Sequence, residues 1–440
     1  MANLVIIGAG PGGYAAALRG AALGLKVTLL EADKVGGTCL NWGCIPTKTY
    51  YHTAKITREV KQSKEIIGQV QVDFPQLVNK QAGVVKQLVG GLESLLKSAG
   101  VEVINQRGTL AEGGVKVGEE LIPADNIIIA TGATPFTILG IVPDGKRVFT
   151  AKEIWQLESL PESVVILGGG VIGVEFATIF SALGSKVTIV EKEKSILPQF
   201  APSATRLVTK KLKEQGVIIK TGAAVTGYKD GVLQLPDESL EGDILLVALG
   251  NKPNTKGLGL EEVGVRLNQR QEIEVNNYLE TSQKGIYAIG DVNNLPYKLA
   301  HAASKQGALV VEKIAGAAYE PFNSNLVPRT VFTYPELAEI GTLEGNKSRF
   351  PYSANGRALA GGEADGYVEA YGDGEKIVGA LIVGADACEL SNLASLAISS
   401  GMTEENLSTS IMTHPTLGEA FHEASLGLFG AAIHIVNKRR

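Results

Sequence analysis

Cys39 and Cys44 stand five positions apart in GGTCLNWGCIPTK, residues 36–48. The chain holds only three cysteines in 440 residues, so two of them in one glycine-flanked stretch point to chemistry at sulfur. Zinc ligation, a structural staple and a redox-cycling pair all use cysteines this close. A closed zinc site needs four ligands, and the sequence has no second cysteine pair to complete one. The third cysteine, Cys388 in VGADACELSNLASLAI, reads as a small buried helix residue.

The elements around this stretch are set by an internal repeat whose two copies lie 160 positions apart. The first copy, VIIGAGPGGYAAALRGAALGLKVTLLEAD, starts at Val5; the second, VILGGGVIGVEFATIFSALGSKVTIVEKE, starts at Val165. Each reads as an apolar strand, a glycine turn, a helix of small residues and a second apolar strand ending in glutamate. Gly8, Gly10 and Gly13 fill GxGxxG in the first copy, and Gly168, Gly170 and Gly173 fill it in the second. The first glycine allows the tight turn, the second lets a pyrophosphate reach the backbone, and the third lets helix and strand pack closely. Phosphates then lie at the positive end of the helix dipole. Glu31 and Glu191 each follow the last glycine by 18 residues, where a carboxylate can accept from both ribose hydroxyls. Glu191 would repel a 2′-phosphate and no arginine follows it closely, so the second site should take NAD rather than NADP. Two dinucleotide sites in one chain imply FAD in one and a nicotinamide cofactor in the other, joined by hydride transfer. A reversible Cys39–Cys44 disulfide beside a flavin is then the reading that survives.

Bulk composition narrows the rest. At 440 residues the chain needs two to four domains. A formal net charge of -5 argues against a nucleic-acid partner, which needs a concentrated basic surface. The basic run Lys438-Arg439-Arg440 reads as a solvated tail. Neither a signal peptide nor an apolar run long enough to cross a membrane is visible, and so few cysteines suit a reducing cytoplasm.

GGTCLNWGCIPTK resembles the redox-active stretch of the flavin-dependent disulfide reductases, the class I pyridine nucleotide-disulfide oxidoreductases, and within them the dihydrolipoamide dehydrogenases. Further motifs follow in the family's order: IIIATGATP (127–135), YAIGD (287–291), LAHAASKQG (299–307), NGRALA (355–360) and HPTLGE (414–419). The resemblance covers nearly the whole chain. It implies an α/β fold with two Rossmann-like dinucleotide-binding domains and a carboxy-terminal α+β interface domain. The FAD domain would span 1–145, the NAD domain 146–265, a central segment completing the FAD domain 266–325, and the interface or dimerisation domain 326–440. The implied activity is NAD-dependent oxidation of dihydrolipoamide to lipoamide.

The same resemblance implies the residues' roles. Cys39 exchanges with substrate and Cys44 faces the flavin, while His414 is the base and Glu419 holds its imidazole. Lys48 and Glu175 would be the ion pair at the reactive flavin edge. FAD contacts fall to Gly8, Gly10, Gly13, Glu31, Thr38, Lys48, Thr131, Gly132, Asp291 and Ala300. NAD contacts fall to Gly168, Gly170, Gly173, Glu191 and Gly250, and no metal is expected. His414 would come from the partner subunit, which implies a homodimer with a shared active site. The implied protein partner is a 2-oxoacid dehydrogenase or glycine cleavage complex carrying the lipoyl group.

Three features depart from the family's pattern. Trp42 stands between the cysteines, Asn251 stands where arginine is common, and TLEGNKSRF is short for the interface domain. The alternative is another reductase of this fold with a different thiol substrate. Glu191 counts against a glutathione-type enzyme, and the lack of carboxy-terminal cysteines against mercuric reduction. A transhydrogenase would not need the cysteine pair. A flavin-bound redox sensor without turnover would not need Cys39, Cys44, His414 and Glu419 together.

Overall fold

The computed structural model of the protein describes residues 2–317 and 320–437. The Lys438–Arg440 run lies outside the described residues. The chain divides into two compact units, Met1–Leu160 with Leu246–Ser324 and Pro161–Leu245 with Asn325–Arg440.

In the first unit the apolar runs become parallel strands because both faces of their sheet are covered. The strand order is Ile286–Ala288, Asn126–Ile129, Asn3–Ile7, Lys26–Leu30 and Glu102–Ile104. Leu4, Ile6, Leu29 and Ile128 are fully buried in this sheet, each contributing roughly 1.5–3 kcal/mol by leaving water. The order reverses direction between Asn3–Ile7 and Asn126–Ile129, and doubly wound sheets bind nucleotides in the crevice outside such a point. Gly8, just past the end of Asn3–Ile7, sits there; a Cβ on it would stand 2.3 Å from the Ala130 carbonyl oxygen.

The helix Pro11–Ala22 begins with proline at its first turn, where the missing N–H costs nothing. Its small residues let it cross the helix Ala300–Ile314 at backbone distance. A Cβ on Gly307 would stand 2.5 Å from the Gly12 carbonyl oxygen and 3.2 Å from the Ala16 side chain. The late segment carrying YAIGD and LAHAA thus returns to build the first sheet's edge strand and this helix pair.

The second unit repeats the pattern. Ser163–Leu167, Lys186–Glu191 and Ile218–Thr221 run parallel, with the helix Val171–Leu183 in the place of Pro11–Ala22. It also holds an antiparallel sheet in the order Arg329–Val331, Glu336–Gly341, Ile377–Gly384, Tyr367–Gly372 and Asn346–Pro351. Val368, Ile382 and Phe421 fill its core, with Ala394 and Ala424 from the helices Ala387–Ser399 and Gly418–Gly427. This is the expected α/β doubling with an α+β carboxy-terminal part. The short stretch noted in the sequence is a direct strand-to-strand link, residues 342–345, with no helix in it. It crosses the end of the sheet: Thr342 N–H donates to the Val378 carbonyl at 2.9 Å, and a Cβ on Gly379 would meet the Thr342 carbonyl oxygen at 2.1 Å. Among the described residues, no helix is long and apolar enough to cross a membrane.

The helix crossing can be tested directly. Gly307→Val drives branched carbons into a backbone carbonyl that has no rotamer to escape through. It should lower stability by about 3 kcal/mol, read from a urea midpoint. An unchanged midpoint would mean that the two helices are not held at this distance.

Candidate active site

The two glycine turns have one geometry. Gly8 and Gly168 take φ of +105° and +112°, a region side chains avoid. A Cβ on Gly13 would fall 1.8 Å from the Gly8 carbonyl oxygen, and one on Gly173 would fall 2.0 Å from that of Gly168. By contrast, a Cβ on Gly10 or Gly170 would meet nothing within 4 Å. That open space lies over helix starts with no side-chain cap, so their first N–H groups are left for an anion.

Each turn also orients its own acid, which spacing alone did not reveal. Glu31 accepts from the Ala9 N–H at 2.7 Å and from the Asp33 N–H at 2.8 Å. Glu191 accepts from the Gly169 N–H at 2.6 Å and the Glu193 N–H at 2.8 Å. A carboxylate offers about four lone-pair positions, so both acids retain capacity for two ribose hydroxyls.

The cysteine stretch packs against the first glycine turn. Gly36 N–H donates to the Ala9 carbonyl at 2.9 Å, and a Cβ on Gly37 would lie 2.7 Å from the Gly10 Cα. Cys39 belongs to the short helix Gly37–Asn41, Cys44 is the first residue of the helix Cys44–Gln62, and the two form a disulfide with Cα atoms 4.6 Å apart. Once the bond opens, the positive end of that helix favours the Cys44 thiolate. Lys48 lies one turn along the same helix face. Thr38 is exposed in the short helix, and its carbonyl accepts the Trp42 N–H at 3.0 Å. Trp42 is half-buried, with the Lys152 ammonium 4.6 Å from its ring centre and the Trp155 indole N–H donating to its carbonyl at 2.7 Å.

The remaining flavin-side candidates sit on the same unit. Thr131 Oγ1 donates to the Asn254 carbonyl at 2.9 Å, and the Asn254 amide returns a bond to the Thr131 carbonyl at 2.9 Å. Gly132, at φ +67°, accepts the Asn254 N–H at 2.9 Å. Gly250, an NAD candidate, also lies on the first unit: its carbonyl accepts the Phe136 N–H at 2.8 Å, and Asn251 pairs with Pro135 in a two-strand ladder. Asp291 is in the turn after Ile286–Ala288; burial raises its carboxyl above the usual range, against the pull of the Lys298 charge. Gln306 steadies that turn by accepting the Gly290 N–H at 2.8 Å. Ala300 opens the helix Ala300–Ile314.

The second unit carries the acid–base candidates. Glu175 is buried in the helix Val171–Leu183 and accepts the Phe332 N–H at 3.0 Å. His414 is exposed, and its Nδ1 lies 2.9 Å from Glu419 Oε1. The other Glu419 oxygen accepts the Thr416 N–H at 2.8 Å. Partial burial works against ionisation, but the Thr416 N–H and the His414 bond outweigh it and hold the Glu419 carboxyl below the usual range. An ionised Glu419 fixes the proton on Nδ1 and leaves Nε2 free to accept one. Asn355, in NGRALA, supports this turn from below: it is buried, caps its own helix, and donates to the Thr416 carbonyl at 3.0 Å. Cys388 is buried, as its setting implied, and its N–H donates to Glu336 at 3.0 Å. Cys39, Cys44 and Lys48 therefore belong to one unit, and Glu175, His414 and Glu419 to the other.

Sequence reasoning did not single out Lys152, Trp155, Asn254 or Asn355. The one sequence signal toward Trp155 is the rarity of tryptophan: the chain has two, and the other stands between the cysteines.

Residues 2–307 match the family model for pyridine nucleotide-disulphide oxidoreductases, and residues 327–425 match the dimerisation domain of the same family. A dihydrolipoyl dehydrogenase of Thermus scotoductus is 39% identical over 99% of this chain and 99% of its own length. One from Haloferax volcanii is 37% identical over 99% of this chain and 98% of its own. Among solved structures, LpdA from Mycobacterium tuberculosis superposes with a TM-score of 0.91 at 28% identity, covering 97% of this chain and 99% of that one. The HOCl-induced flavoprotein disulfide reductase RclA from Escherichia coli gives 0.84 at 27% identity, covering 96% and 99%.

The glycine geometry separates folding from ligand binding. Gly10→Ala should fold with a stability loss of no more than about 1 kcal/mol, because its methyl meets only open space, yet should retain much less flavin. Gly13→Ala should cost about 3 kcal/mol or more, because its methyl overlaps the Gly8 carbonyl. Equal flavin content in Gly10→Ala and the parent protein would show that no phosphate approaches there.

Proposed function

The chain belongs to the pyridine nucleotide-disulphide oxidoreductase family, and we propose that within it the protein is an NAD-dependent dihydrolipoyl dehydrogenase. One observation carries the reading: a Cys39–Cys44 disulfide packs against a glycine turn whose pyrophosphate space is open. A second, NAD-type turn with its own oriented acid lies in the same chain.

FAD and NAD are the family's cofactors, and the residues present fit both. FAD, when bound, supplies a two-electron relay between the dithiol and the nicotinamide. Gly10 and the start of the helix Pro11–Ala22 would receive its pyrophosphate, and Glu31 a ribose. Thr38, Lys48, Thr131, Gly132, Asp291 and Ala300 would line the remainder of its length. Gly168, Gly170, Gly173, Glu191 and Gly250 would serve NAD. Glu191 is 8% exposed and already bound to two N–H groups, so a 2′-phosphate beside it would meet unscreened negative charge.

The dithiol step follows from the chain's own groups. His414 takes a proton from one substrate thiol at Nε2, with Glu419 holding the imidazole. The thiolate attacks Cys39; a substrate–Cys39 bond forms as the Cys39–Cys44 bond breaks, leaving Cys44 as thiolate at the helix start. The second substrate thiol then displaces Cys39 and passes its proton to that departing sulfur, giving the cyclic disulfide product, a Cys39 thiol, a Cys44 thiolate and a protonated His414. Lys48, with Glu175 as its proposed partner, would hold positive charge near the electron-accepting edge.

We assign the domains as 1–145 with 266–325 for FAD, 146–265 for NAD and 326–440 for the subunit interface. The dimerisation-domain match supports a homodimer, in which His414 of the partner subunit would complete each site. A lipoyl group tethered to a 2-oxoacid dehydrogenase or glycine cleavage complex is the proposed substrate, and the cytoplasm the proposed compartment.

The purified protein should be yellow and should form NADH from dihydrolipoamide and NAD. Turnover of a different dithiol, with none of dihydrolipoamide, would overturn the substrate assignment. Cys44→Ser should keep FAD and lose dithiol turnover entirely. His414→Gln should lower the dithiol-dependent rate about 10²–10⁴-fold while NADH oxidation by an artificial acceptor persists; an equal loss in both assays would remove His414 from the thiol step.

A further inference from the structure

The chain's two tryptophans, Trp42 and Trp155, meet at the redox pair, and neither has a part in the chemistry above. Resting on the proposed redox cycling of Cys39 and Cys44, we infer that Trp155 is a positioning residue for that pair. It braces the link between the sulfurs, with Lys152 as a second grip, and biases the pair toward the disulfide.

The link between the cysteines is Leu40–Gly43. Its far end is fixed, because Cys44 starts a 19-residue helix buried at Tyr50, Tyr51 and Ala54. Its near end is the five-residue helix Gly37–Asn41, which has no buried residue. Trp42 closes that short helix and is held from two sides. Its carbonyl accepts the Trp155 indole N–H at 2.7 Å. Its ring lies under the Lys152 ammonium, which also pairs with Asp33 at 3.2 Å. Trp155 is itself fixed: its N–H is shared with the Ala151 carbonyl at 2.9 Å, and its ring meets Tyr50 edge-on at 5.2 Å. Tyr50 stands on the helix that Cys44 begins, so the brace ties the link to the helix carrying one of its own sulfurs.

Opening the disulfide moves the sulfurs from bonding to van der Waals distance, and the less firmly held Cys39 side must give way. A braced link resists this, keeping each thiol at high effective concentration near the other and favouring the oxidised form. A hydrogen bond is worth about 1 kcal/mol net, or roughly fivefold in an equilibrium constant. An exposed cation–π contact is worth about 0.5–1 kcal/mol, roughly two- to fivefold.

The test equilibrates holoenzyme anaerobically with dithiothreitol, without NAD or dihydrolipoamide, and counts free thiols by alkylation after acid quench. Two dithiothreitol thiols close to a cyclic disulfide as two electrons and two protons pass to Cys39 and Cys44. Trp155→Phe keeps the ring against Tyr50 and removes the donor. It should shift the equilibrium about fivefold toward dithiol, about 20 mV for a two-electron couple. Lys152→Met, at an exposed side chain, should shift it the same way by about twofold. A merely structural role would lower stability without moving this equilibrium. Shifts of Trp155→Phe under about twofold, or toward disulfide, would overturn the brace. Should Trp155→Phe fail to fold, Lys152→Met decides alone, and no shift overturns the proposal. A pair that dithiothreitol cannot reduce in the parent protein would instead overturn the redox reading itself, and the brace with it.

Discussion

Both nucleotide-binding halves depend on a contact that only hydrogen permits: the third glycine of each turn lies against the carbonyl of the first. This closeness sets the helix start directly over the end of the strand, so that strand, turn and helix dipole converge on one point. In the first unit the same turn receives the cysteine stretch through the Ala9 carbonyl and the Glu31 carboxylate through the Ala9 N–H. One alanine backbone unit thus fixes both the acid proposed for the ribose and the segment carrying the disulfide. Enlarging the turn would displace both together.

The proposed ribose-binding acids are fixed by the fold itself. A free glutamate must lose rotamer freedom to meet a ribose, at a cost of up to about 2 kcal/mol. Glu31 and Glu191 are already tied to two N–H groups each, so that cost falls on folding rather than on binding. Glu419 follows the same logic: Thr416 holds one of its oxygens and leaves the other for His414.

The strands, the turns and the repeat were legible because glycine spacing and apolar runs are local signals. So were the disulfide and the burial of Cys388. The His414–Glu419 bond was legible through a motif only six residues long. What stayed hidden lay in contacts between distant segments. Asn254 reaches Thr131 across 123 positions, Trp155 reaches Trp42 across 113, and Asn355 reaches Thr416 across 61. No periodicity encodes such pairs; they exist only once the sheets have set the register. The shortened link at 342–345 was visible as missing residues, but its path across the sheet end follows from the strand order, which the sequence did not state.

Placing both tryptophans beside the disulfide has an optical consequence. The protein's entire indole emission arises within one cluster, where Trp155 meets Trp42 of the segment that packs on the first glycine turn. Disulfides quench indoles, and a flavin held at that turn would drain their excitation. Tryptophan fluorescence in this chain is therefore no average over the fold; it is a label-free view of the redox centre, supplied by the sequence itself.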